Sequence, residues 1–203
     1  MKSFGKILLI IVAVVLLINN NDSYAQERSI KYNVRAMGMD IGVLTVTENV
    51  NDNDIIIEAV TDVKVKIVFT FRVQYIQKSI YREGELLKSS LLTFKKGRLN
   101  SSTYLSKEGN GYKLIKDGDT SFVDSCIEYS GSLLYFHEPS NINELHYEIS
   151  GEKKPLQYMG DHKYLVIDPE NSRESLFVYK DGILQRSSIE QRLTTIYTEL
   201  VSD

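Results

Sequence analysis

The chain has little to staple it together and few of the residues that announce chemistry. A single cysteine, Cys126, stands among 203 residues, so no internal disulfide can form and stability must come from burial. Tryptophan is absent, which weakens the case for a sugar-stacking platform. No Pro/Gly/Ser-rich linker or block of like charge divides the chain. The formal net charge is −3, so nothing draws the protein generally toward nucleic acid. The serines are scattered and no Gly-x-Ser-x-Gly elbow is present to hold a nucleophile.

What is present begins with a targeting pattern. Lys2 and Lys6 precede an unbroken apolar run from Ile7 to Ile18, and the small-residue site Ser23-Tyr24-Ala25 follows it. Residues 1–25 read as a signal peptide with cleavage expected after Ala25. The run is shorter than the roughly 20 apolar residues of a membrane span, and a retained N-terminal anchor is the alternative. No cysteine near the cleavage point could carry a lipid. Cleavage would remove Lys2, Lys6 and Asp22 and leave 178 residues with 22 basic and 26 acidic side chains. Residues 26–203 are then a single β-rich domain, periplasmic or extracellular, with no transmembrane segment.

The hydrophobic period is two almost throughout. From Val63 to Tyr75 the odd positions are apolar, while Lys64, Lys66, Thr70, Arg72 and Gln74 fall between them. As one strand the run would be about 40 Å long if straight, so it is expected to curve or to break at a bulge near Val68. Polar pairs ending in glycine recur at Gly84, Gly97, Gly109, Gly118 and Gly182, which suits hairpin turns of an antiparallel meander. One helix is expected over 125–138: Ser125 and Glu128 have capping-box spacing, Tyr129, Leu133 and Phe136 recur at helical intervals, and Pro139 closes the run. The fold class is therefore mainly β, a curved antiparallel sheet or incomplete barrel of about ten strands with that helix packed across it.

Four features invite a chemical reading. Gly38 and Gly42 in "RAMGMDIGVLTVTE" lead into β-branched residues and not into a helix, so they read as an architectural bend, and no cofactor is expected. Cys126, at the start of the expected helix, is a conceivable nucleophile if a histidine reaches it, but a lone cysteine beside Ile127 is more often a small core residue. In "NELHYEIS" a strand would place Glu144, His146 and Glu148 on one face, as metal ligands or as a solvated polar face. Lys64, Lys66 and Arg72, with Lys95, Lys96 and Arg98, form a basic patch or simply a solvated sheet face.

The order of features is similar to that of a known family. "IKYNVRAMGMDIGVLTV", the "SCIEYSGSLLYFHEP" segment, "LHYEISG" and "LFVYKDGILQRSSI" resemble secreted bacterial proteins classed as domain of unknown function 6134, distantly similar to periplasmic half-barrel proteins of the lipoprotein-carrier type. The resemblance implies a curved antiparallel sheet around a helix or an apolar hollow, and no catalytic residues. The first expectation is a non-catalytic protein that binds a lipid, a lipidated partner or another hydrophobic molecule, with Val65, Ile67, Phe69, Phe71, Val73 and Tyr75 as lining residues. The alternative is an envelope protein-protein interaction module. A metal- or thiol-dependent enzyme is the least favoured.

Overall fold

Two-residue turns set the architecture. Met37-Gly38, Glu83-Gly84, Lys96-Gly97, Asp117-Gly118 and Asp181-Gly182 each hold both residues at positive φ. That is the backbone of the tight hairpin turn whose twist matches the strands it joins. The structure is a computed structural model describing residues 26–66 and 70–201, and the expected signal peptide lies outside the described residues.

Fourteen strands result. They are β1 (Gln26–Ala36), β2 (Met39–Asn51), β3 (Asp54–Lys66), β4 (Thr70–Arg82), β5 (Glu85–Lys95), β6 (Arg98–Glu108), β7 (Gly111–Lys116) and β8 (Asp119–Val123). After a long connection come β9 (Glu144–Tyr147), β10 (Glu152–Gly160), β11 (Lys163–Ile167), β12 (Glu174–Lys180), β13 (Ile183–Glu190) and β14 (Thr195–Leu200). All lie in one antiparallel sheet. Chain neighbours pair throughout except across the long connection, and β1 also pairs with β14, leaving β8 and β9 as the two edges.

The expected ten strands are thus fourteen, and the run from Val63 to Tyr75 explains part of the difference. It is the end of β3 and the start of β4, paired with each other: Val63 opposes Val73 and Val65 opposes Phe71. Partners lie symmetrically about position 68 in the sequence, so odd residues face odd residues and the period of two runs on through a reversal of direction. A single long strand and a symmetric hairpin leave the same trace in the pattern.

Register shifts at Val34/Arg35, Ile80/Tyr81, Thr93/Phe94, Tyr158/Gly160 and Val178/Tyr179 add twist and bend to the strands that carry them. Inward side chains from both halves of the sheet join one core, including Tyr32 of β1, Ile57 of β3, Leu105 of β6, Tyr164 of β11 and Leu184 of β13. The edges approach at one end, where a Cβ on Gly151, in the turn after β9, would lie 2.5 Å from Val123 at the end of β8. The result is an incomplete barrel.

Among the described residues there is no α-helix, which corrects the expectation for 125–138. The connection between β8 and β9 enters the barrel as an irregular plug with one short 3-10 turn, Gly131–Tyr135. Ile127, Leu133, Leu134 and Phe136 all join the core, so the plug is enclosed and not laid down on one face. Ser125, expected to cap the helix, and Ser130, which precedes the 3-10 turn, are both used elsewhere. Ser125 Oγ meets His146 Nε2 at 3.4 Å, and Ser130 makes no side-chain cap bond but donates to Glu148. Their local helix-starting role loses to hydrogen bonds with the barrel wall.

Candidate functional site

Two buried carboxylates hold the plug. Glu48, 0% exposed, continues the inward alternation of Leu44 and Val46 on β2. It receives hydrogen bonds from Arg28, directly opposite on β1, and His137 Nε2 of the plug lies 2.5 Å from its other oxygen. The Arg28 guanidinium also stands 4.9 Å from the centre of the Phe136 ring. Burial pushes the Glu48 carboxyl up, but hydrogen bonds from His137 and Arg28 and their charges outweigh it, and the net shift is downward.

The second carboxylate is built differently. Glu148, 4% exposed, lies just beyond the end of β9, where the turn carries its side chain inward. Ser130 Oγ at 2.5 Å, Gln77 Nε2 at 3.1 Å, the Ser132 amide at 3.2 Å and Ser79 Oγ at 3.4 Å all approach Oε1. Behind them Tyr81 bonds Ser130 and Ser132, and Ser79 bonds Ser89 at 2.9 Å. The Tyr81 hydroxyl is pushed well above its ordinary value, by burial first and then by the Glu148 charge. No arginine or lysine among the described residues pairs with Glu148. Oε2 receives none of the four donors. Every fully buried side-chain polar atom among the described residues has a partner, so an Oε2 without a donor is not fully enclosed; Glu148 is one of the residues that line a neighbouring space.

That space is a half-open hollow of about 210 Å³ between plug and wall. The plug contributes Gly131, Leu134 and Tyr135, and the chain from β9 onward contributes Tyr147, Glu148 and Ile149. Gln77 and Leu91 line it from β4 and β5, and Phe177, Ser187 and Ile189 from β12 and β13. Gly131 has a specific part: a methyl group there would sit 3.2 Å from Glu148 Oε2, so its bare backbone keeps that oxygen open. Larger depressions, of about 460 and 490 Å³, lie against Arg186, Tyr197 and Glu199 and against Lys163, Glu174 and Tyr197. Both are open on the outer side of β11–β14, with charged residues among their walls.

The residues singled out by sequence are dispersed. Val73 is buried in the core against Val63. Tyr75, 49% exposed, lies two positions before Gln77 on the same face of β4. Ile67 and Phe69 lie outside the described residues, and Val65 and Phe71 are described only as paired backbone. Glu144 pairs with Lys153 at 3.2 Å, buried His146 turns to Ser125, and Glu148 turns inward, so a shared face does not form. Among the described residues no three His, Cys, Asp or Glu side chains gather as a metal site. In the basic patch, Arg72 is paired with Asp62.

Cys126 is exposed at the start of the plug. Local desolvation, followed by the Glu85 carboxylate, pushes its thiol above the ordinary range. Iodoacetamide is expected to reach it without denaturant but slowly at neutral pH, with the rate still climbing above pH 9. A mass-spectrometric time course showing full modification within minutes at pH 7 would contradict this.

Fold and site together define a plugged, incomplete antiparallel β-barrel. The chain belongs to the family described as domain of unknown function DUF6134, whose model matches residues 32–201. Among solved structures it is similar to the crystal structure of a β-barrel-like protein of domain of unknown function DUF1849 from Brucella abortus. The TM-score is 0.58 at 8% sequence identity, over 88% of this chain and 96% of that one. At that identity the likeness is one of fold. Among curated proteins none matches. No helix of the described residues is long and apolar enough to cross a membrane.

Proposed function

We propose that this protein is a non-catalytic binding protein of the bacterial envelope that takes one end of a hydrophobic or amphiphilic molecule into the hollow between plug and barrel wall. The observation that carries the reading is a half-open hollow with apolar walls at Leu91, Leu134, Phe177 and Ile189 inside an otherwise filled barrel. Its 210 Å³ is below the roughly 300–1,000 Å³ of pockets that enclose a whole small molecule, so the rest of the ligand extends through the mouth. Secretion through residues 1–25 would bring the protein to the compartment where lipids and lipidated partners are handled.

Protein purified from its native host is expected to release a bound amphiphile into organic solvent, identified by mass spectrometry, and to bind a fluorescent fatty-acid probe. Leu91→Trp, which fills the hollow, should weaken that binding about tenfold or more. Empty extracts together with no probe binding would sink the reading. A second reading, an interaction module, is favoured by exposed Met37 in the turn after β1, Met39 and Val43 on β2, and Tyr197 on β14, the two strands that flank β1. It predicts that Tyr197→Glu abolishes capture of an envelope protein and leaves probe binding intact.

A further inference from the structure

Glu148 presents an unusual imbalance. A buried carboxylate is ordinarily paired with a cation or has both oxygens satisfied by donors. Here four neutral donors converge on Oε1, Oε2 has none among the described residues, and no arginine or lysine pairs with the side chain. The bare oxygen is turned toward Gly131 and the hollow. Aromatic walls accompany it, with Tyr135 and Phe177 lining the same space. The Tyr135 hydroxyl is pushed up to about 12, by burial and then by the Glu148 charge, which places that ring within the field of the carboxylate. Aromatic faces beside a carboxylate attract a cation and repel an anion. Leu91 and Ile189 supply an apolar path for a hydrocarbon chain behind such a head group.

We propose that the hollow selects an amphiphile with a cationic nitrogen head, an alkylamine or alkylammonium, which docks against Glu148 Oε2 with its chain directed past Leu91 and Ile189 toward the mouth. This rests on the ligand-binding reading above and deepens it from a hydrophobic molecule to one of defined head-group charge. A primary amine donates a hydrogen bond to Oε2, which stands open for it. A quaternary head has no proton to donate and relies on charge and ring faces alone.

The test is calorimetric titration of the folded, full-length mature protein at pH 7 with decylamine, decyltrimethylammonium, decanol and decanoate, each below its micellar concentration. Decylamine is expected to bind about tenfold or more tightly than decanol, as a charge-assisted hydrogen bond would allow, and decanoate most weakly. Glu148→Gln keeps an acceptor for the Oε1 donors and should bring decylamine down to the decanol level while leaving decanol unchanged. Gly131→Ala, which crowds Oε2 and removes none of the four Oε1 donors, is the second variant and should weaken decylamine selectively even if Glu148→Gln folds poorly. Decanol or decanoate binding as tightly as decylamine, or variants that leave the preference intact, would overturn this inference and leave the ligand-binding reading standing. Binding of none of the four would overturn both.

Discussion

Exchanging Arg28 for methionine is expected to lower the free energy of unfolding by about 2 kcal/mol, the range for removing hydrogen bonds to a buried charged group that keeps one other partner, here His137. The reason lies in which partner is left behind. Glu48 is 0% exposed and cannot recover water, whereas the Arg28 and His137 side chains are 37% and 36% exposed. Glu48→Met should therefore do less harm than Arg28→Met, because the Arg28 and His137 side chains left behind can reach water. Equal losses in urea denaturation, followed by circular dichroism, would show that the asymmetry is not controlled by burial.

The pH dependence carries a second, sharper signature of the same contact. In the native protein the Glu48 carboxyl titrates below its unfolded value of about 4.3. Its stabilising contribution is thus complete above that value and is lost as pH falls through the folded one. In Arg28→Met/His137→Leu both counter-charges are gone, and burial alone acts on the carboxyl and raises it. The sign then reverses: the variant is penalised as pH rises through the raised value, so the destabilisation relative to the native protein is larger at pH 7 than at pH 4. A penalty that does not grow with pH would mean that the side chain escapes to solvent.

Different parts of this molecule were legible in the sequence to different degrees, for physical reasons. A tight hairpin of this kind holds two residues at positive φ, and a polar residue followed by glycine announces that locally, so the turns at Gly84, Gly97, Gly118 and Gly182 could be read, whereas Asp161-His162, at positive φ without that signature, could not. The pair of Arg28 and Glu48 left a readable signal too: each carries charge at a position whose alternation points inward, and they are opposite on neighbouring strands. The plug was not legible. Ser125 and Glu128 have helix-starting spacing, but Ser125 finds its partner 21 residues later and Ser130 finds Glu148, 18 residues on. The strand alternation that would put Glu144, His146 and Glu148 together stops at Tyr147, and the turn beyond it rotates Glu148 into the barrel. Local spacing cannot encode partners supplied by the closing of the sheet, and the candidate site consists mostly of such partners.

Gly42→Ala is expected to destabilise by roughly 3 kcal/mol or more, at the top of the range for overpacking, although it adds one methyl group. Gly42 lies inside β2 between Val34 and Val63 of the flanking strands. A Cβ there would overlap the carbonyl oxygen of Asp62 and come within 2.8 Å of Val63 Cα. These are backbone atoms of β3, and no rotamer change can move them aside. Relief would require β3 to withdraw from β2 close to where Asp62 bonds Arg72 across to β4, so the disturbance would spread over three strands. Gly38, four residues earlier, is a contrasting control. It sits at φ +73° with nothing within 4 Å of an added Cβ, so Gly38→Ala incurs only left-handed backbone strain of about 1–2 kcal/mol. Thermal unfolding followed by circular dichroism should rank the two variants in that order, and Gly38→Asn should recover part of its loss, since asparagine tolerates positive φ. Equal effects at the two positions, or a harmless Gly42→Ala, would mean that β2 and β3 do not approach this closely in solution.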